Sequence, residues 1–95
     1  MNMISYWKNH KEIYNDEGLV LIIGHYDHKN QNNGGSKALG VHWGSYPQSR
    51  GILSPCVIPE NTRNSMLAGL LNQATVAGDI TTIEKLIEAI KFFKK

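Results

Sequence analysis

The densest group of side chains able to do chemistry is the tetrapeptide His25-Tyr26-Asp27-His28. On an extended segment, the first and third of these side chains share one face and the other two share the opposite face. Imidazole and carboxylate groups bind zinc, so His25, Asp27 and His28, together with His42, are candidates for a metal site or a histidine-based enzyme. The spacing matches no metal-binding motif. We therefore favour a strand end emerging into solvent, and expect no metal and no cofactor.

A second group of candidates begins at His42, which stands among small residues and is followed by Trp43, Tyr46 and Arg50. Tryptophan and tyrosine offer large contact areas with a polar tip, and arginine binds carboxylates or phosphates through two hydrogen bonds. These four residues are the predicted ligand-binding site. The structural alternative is a partly buried His42 bonded to a backbone carbonyl, beside a loop whose aromatic side chains complete the core.

No catalytic residue is predicted from the remaining motifs. The chain has no Gly-x-Ser-x-Gly, no His-Glu-x-x-His and no phosphate-binding loop. Its single cysteine, Cys56, cannot form a disulfide within the chain and lies among apolar neighbours, which predicts a packed structural thiol rather than a nucleophile. In its short length and its Asn- and Lys-rich N-terminal half the chain resembles orphan products of bacterial mobile gene cassettes, a resemblance that assigns no residue a role.

The charge pattern argues against nucleic acid and membrane partners. The net charge is +2, and the ten Lys and Arg residues are scattered except for Lys91, Lys94 and Lys95. Because cations are stabilised at the C-terminal end of a helix, we favour a solvated helix end over a nucleic-acid site built from these lysines and Arg63. No apolar run is long enough to cross a membrane, so we expect a cytoplasmic protein.

The elements that must position these residues form one domain over residues 1–95. The run Leu19–Ile23 lacks polar alternation, which is typical of a strand covered on both faces. Residues 38–46 alternate between bulky side chains and small ones, which predicts a second strand paired antiparallel with the first. Prolines flank Cys56–Ile58, so this third strand is expected at a sheet edge.

Three helices complete the predicted fold: Ile4–Tyr14, Thr62–Ala77 and Thr82–Lys94. We expect Asn61 and Thr81 to cap the N-termini of the last two helices. Gly78 is expected to end the helix Thr62–Ala77. The sequence therefore predicts an α+β fold in which a small antiparallel sheet of about three strands combines with one N-terminal helix and two C-terminal helices.

In so small a fold, the remaining elements cannot easily cover both faces of the strand Leu19–Ile23. We therefore expect a second subunit to complete the burial of this strand. The sequence thus predicts a homodimer that acts as a binding or interaction protein, with a small molecule or another protein as partner. The metal-dependent or histidine-based enzyme and the nucleic-acid binder stay open as alternatives.

Overall fold

The computed structural model describes residues 6–28 and 33–94. Four strands form an antiparallel sheet in the order β1-β2-β3-β6, and a separate hairpin pairs β4 with β5. The fold is α+β, but the expected arrangement is wrong, because the main sheet has four strands and both described helices are C-terminal. The elements are β1 (Trp7–Asp16), β2 (Leu19–Tyr26), β3 (Ser36–Trp43), β4 (Gln48–Ser49), β5 (Ile52–Leu53), β6 (Cys56–Ile58), α1 (Glu60–Ala77) and α2 (Ile80–Phe93).

Residues 7–14 of the expected N-terminal helix belong to strand β1, Tyr6 is a bend, and Ile4 and Ser5 lie outside the described residues. The pairing of β1 with β2 shifts register twice, once between Lys8 and Lys11 and once between Glu12 and Tyr14. Each shift places an extra residue on β1 and interrupts the two-residue alternation of its side chains. The apolar spacing of the segment therefore resembles that of a helix, although the backbone is extended.

The two central strands pair antiparallel as predicted, but the second spans Ser36–Trp43 and not residues 38–46. β2 and β3 pair antiparallel from Leu19 opposite Trp43 to Tyr26 opposite Ser36, and β6 lies at the sheet edge. Burial of the run on both faces is confirmed for four of its five residues, and Leu19 is 43% exposed. The four buried residues are Val20, Leu21, Ile22 and Ile23.

The two faces of the sheet are covered differently. On one face, which we call the helix side, α1 and α2 pack over the apolar side chains of the strands. On the other face, the ring of Trp7 lies on Gly40, where an added Cβ would stand 2.6 Å from ring atom Cζ2. The indole Nε1 donates to the carbonyl of Pro55 at 3.1 Å. The helix-side core comprises Ile13, Leu21, Ile23, Leu39, Leu67, Ala74, Leu86 and Ala89.

The helix ends match the sequence expectations only in part. Gly78 ends α1 in the left-handed conformation, as predicted. Neither Asn61 nor Thr81 is a cap: α1 begins after Pro59 without a side-chain cap, and Asp79 caps α2. Its carboxylate accepts from the backbone N of Thr82 at 3.2 Å and from the Thr82 hydroxyl at 2.7 Å. Asp is as good a cap as Thr, so the helix begins two residues earlier.

This cap predicts a pH-dependent contribution to stability. Hydrogen bonds from Thr82 hold the pKa of the Asp79 carboxyl below its ordinary value of 3.8. A carboxyl whose pKa is lowered by folding stabilises the fold above its unfolded-state pKa, and this contribution is lost as the pH falls through the folded-state pKa. In Asp79→Asn the cap acceptor is kept but cannot titrate. Urea denaturation should therefore show the variant less stable near neutral pH and the difference shrinking below about pH 4; a pH-independent difference contradicts this account.

Candidate functional site

Three exposed apolar side chains form a continuous line across the sheet. Leu19 on β2 lies directly opposite Trp43 on β3. Beyond a two-residue turn, Tyr46 bridges back to Trp43 through two backbone hydrogen bonds of 2.8 and 3.0 Å. Directly opposed residues on antiparallel strands carry their side chains side by side on one face. We call Leu19, Trp43 and Tyr46 the apolar row; their exposed fractions are 43%, 50% and 59%.

The apolar row lies next to the helix-side core, on the same face of the sheet, and is exposed to solvent. The next line across the same face runs from Leu21 through Val41 to Cys56, which are buried, half-buried and exposed, respectively. The exposure of Cys56 contradicts the packed thiol expected from sequence; Cys56 lies on β6, an edge strand of the sheet. Contiguous exposed apolar side chains of this kind mark interaction surfaces.

Backbone contacts fix the turn that carries the row. The amide of Gly44 donates to the carbonyl of Gly18 at 3.1 Å and so ties this turn to the one preceding Leu19. Below it, Nδ1 of His42 lies 3.1 Å from the carbonyl of Gly44, to which it donates. His42 is only 7% exposed and lies on the face opposite to Trp43. His42 thus corresponds to the structural alternative, a buried histidine bonded to a backbone carbonyl. It supports the turn from the opposite face of the sheet.

His42→Ala is expected to lower the free energy of unfolding by about 1–1.5 kcal/mol, because it removes the part-buried hydrogen bond between the His42 ring and the Gly44 carbonyl. The matched control is Arg50→Ala, which is expected to stay within about 0.5 kcal/mol of the wild type because Arg50 is exposed. Urea denaturation of the three proteins measures both effects. Equal stability of the two variants would show that His42 does not hold the turn.

The last predicted ligand residue, Arg50, lies apart from the other three. It is at the tip of the β4–β5 hairpin, where it and Gly51 both have positive φ angles. This hairpin starts just after Tyr46, whose peptide bond to Pro47 is cis. The structure therefore brings Trp43 and Tyr46 together, places His42 beneath them and leaves Arg50 at a neighbouring tip.

An acidic side chain lies at the other end of the apolar row. Asp16 on β1 is directly opposite Leu19. Its acidic side chain is therefore followed, across the sheet, by the three side chains of the apolar row. Asp16 and Asp79 both line a cleft of about 260 Å³ between the end of β1 and the helices. Sequence reasoning missed Asp16 and Leu19, because their proximity to Trp43 depends on the strand register. The other residues lining the cleft are Tyr14, Asn15, Leu70, Gln73, Ala74, Ala77 and Thr82.

The metal-site candidates do not converge. The ring of His25 makes an edge-to-face contact with Phe92, with ring centres 5.7 Å apart, and the buried Asp27 accepts from the backbone N of Gly34 at 2.9 Å. Nδ1 of His28 lies 3.0 Å from the hydroxyl of Tyr26. Within residues 6–28 and 33–94, no group of three or more His, Cys, Asp or Glu side chains is placed to hold a metal ion.

Among the described residues, no helix is both long and apolar enough to span a membrane. The apolar row, supported by His42 and flanked by Asp16, is the site whose geometry stands out on this fold. Comparison with protein-family models, with curated proteins and with solved structures gives no match to this chain.

Proposed function

We propose that this protein is a non-enzymatic interaction protein that forms a homodimer through the apolar row. The observation that carries the proposal is the continuous exposure of Leu19, Trp43 and Tyr46 on one face. Tryptophan and tyrosine are the residue types that most often dominate the binding energy of protein interfaces. Their backbone is already fixed by the hydrogen bonds of the turn, so little ordering cost opposes association.

The reason for a dimer differs from the one that the sequence suggested. Residues 20–23 are buried within a single chain, so this strand alone does not require a second subunit. The part left exposed is Leu19, together with the two aromatic residues beside it. The apolar surface available for association therefore lies at one end of the sheet and not along the whole strand.

The charges at the two ends of the row favour a second copy of this chain as the partner. Asp16 lies at one end, and the hairpin that carries Arg50 at its tip begins at the other end. In a two-fold dimer the same patch meets itself with its ends exchanged. Each Asp16 then faces the Tyr46 end of the partner's row, where the hairpin that carries Arg50 begins, and attraction between these opposite charges orients the encounter.

The enzyme alternative loses support because its side chains lie apart. It needs His25, Asp27, His28 and His42 to act on one substrate or one metal. His25 packs on the helix side against Phe92, whereas His42 is buried beneath the turn after Trp43. Groups that cooperate in catalysis must lie within hydrogen-bond reach of each other or of a shared reacting atom.

Static light scattering of the untagged protein tests the proposal. Over a micromolar concentration series, the mass should rise from that of one 10.6 kDa chain towards twice that value. Added salt should weaken association only modestly, because most of the contact is apolar and only the flanking charges are screened. A mass that stays at one chain throughout the series contradicts the proposal.

A further inference from the structure

The fold gathers basic residues that are far apart in the sequence. Lys8 on β1 lies opposite His25 on β2, and His25 lies opposite Lys37 on β3. All three are on the helix side, because the ring of His25 packs against Phe92 and Nζ of Lys37 is 5.1 Å from the centre of the same ring. With neighbouring strands about 4.8 Å apart, this line of basic side chains spans about 10 Å.

The helices add further positive charge at this end of the sheet. The guanidinium of Arg63 lies 4.0 Å from the ring centre of Phe93, and its Nη1 donates to the carbonyl of Lys37 at 3.5 Å. The last turn of α2 carries Lys91, and Lys94 is its cap residue; Lys95 lies outside the described residues. We call Lys8, His25, Lys37, Arg63, Lys91 and Lys94 the basic cluster.

Two observations indicate that this cluster is more than a solvated helix end. Lys37 and Arg63 are each held over an aromatic ring, an arrangement that fixes a cation without neutralising it. In addition, Nδ1 of His25 and Nε of Arg63 are buried and have no hydrogen-bond partner within the described structure. Buried polar atoms of this kind often mark the place of an ion or a water molecule.

We propose that the basic cluster binds the phosphodiester backbone of a nucleic acid. Lysine and arginine side chains on two strands and at the ends of two helices fit a chain of phosphates better than a single phosphate ion, which would contact only part of the cluster. A lipid surface fits less well, because the rings of Phe92 and Phe93 are only partly exposed and lie beneath the cations. Membrane-surface sites instead combine cations with apolar side chains that enter the bilayer.

This site is independent of the proposed dimer. His25 is six residues from Leu19 along β2, a separation of about 20 Å at the rise of a strand. A dimer formed through the apolar row therefore leaves the basic cluster of each copy open. Failure of either proposal would leave the other standing.

The test is fluorescence anisotropy with a labelled oligothymidine and a labelled DNA duplex, each titrated with the full chain at several salt concentrations. Three to four phosphate contacts predict a slope of log K against log salt of about −2 to −3 for the single strand. Lys37→Gln and Arg63→Gln should each weaken binding several-fold at low salt and reduce the slope by about 0.7. Lys85→Gln is the matched control, since it removes one exposed charge of α2 outside the cluster.

Absence of binding, or affinity that does not depend on salt, overturns the proposal. An equal loss in Lys85→Gln also overturns it, because only the net charge would then matter. Binding to anionic lipid vesicles without binding to either oligonucleotide would assign the cluster to membranes instead. If Arg63→Gln proves unfolded by circular dichroism, Lys37→Gln and Lys94→Gln decide the matter, since both of these side chains are exposed.

Discussion

Replacing Trp7 with alanine is expected to lower the free energy of unfolding by about 3–5 kcal/mol. The indole is 4% exposed and lies directly on Gly40, so its removal opens a cavity on that face of the sheet. It also leaves the carbonyl of Pro55 without the donor that it has in the wild type. Because small domains are stable by only about 5–15 kcal/mol, this one substitution should bring the chain close to unfolding.

The other tryptophan provides a matched control. Trp43→Ala removes the same side chain from a site that is 50% exposed. The stability of the monomer should therefore fall by only about 1–1.5 kcal/mol, since about half of the side chain is buried. Urea denaturation at a concentration below that of dimer formation compares the two variants. Similar losses in both would mean that Trp7 is not the side chain that covers this face.

The same Trp43→Ala substitution should weaken the dimer at least about 30-fold, which corresponds to the 2 kcal/mol or more of an interface hot spot. Trp43 is the central member of the apolar row, with Leu19 on one side and Tyr46 on the other. Its removal therefore takes away the largest apolar contact and exposes both neighbours to water.

Val76→Ala is the control for this experiment. Val76 is 82% exposed on α1 and does not belong to the row. Sedimentation equilibrium should give the same dissociation constant for this variant as for the wild type. If the two substitutions have equal effects, association does not depend on the apolar row.

The parts of the fold that were predictable rest on local signals. The unbroken apolar run Leu19–Ile23 indicated a strand covered on both faces, which is confirmed for residues 20–23 but not for Leu19. The prolines around Cys56–Ile58 indicated an edge strand, which is also confirmed. Gly78 ended α1 as expected, since glycine adopts the left-handed conformation at low cost. Each of these features depends on residues that are close together in the chain.

The prediction of an N-terminal helix was wrong because the features that make this segment a strand depend on its pairing with β2. Two register shifts in β1 have no signature in the sequence, yet they decide which face each side chain occupies. The small residues around His42 suggested room for a ligand. In the structure, Trp7 fills the face at Gly40 from 33 positions away in the chain.

Both proposed surfaces are lines across strands, which explains how much of each could be predicted. Trp43 and Tyr46 were candidates because of their residue types, but Leu19 joins them only through the pairing of β2 with β3. Similarly, Lys8 and Lys37 are 29 positions apart in the sequence and become second neighbours across β2. Residue type identifies single side chains as candidates for a site, whereas strand register determines which of these side chains lie side by side.

We infer that the apolar row becomes buried when two chains associate. Acrylamide quenching of tryptophan fluorescence reports this burial, since Trp43 is 50% exposed and Trp7 is 4% exposed in a single chain. In the wild type, the quenchable fraction of the emission should fall as the concentration rises through the range in which light scattering shows dimers. In Trp43→Phe only Trp7 emits, and quenching should stay low throughout. A dimer in which Trp43 remains as quenchable as in the monomer would contradict the account.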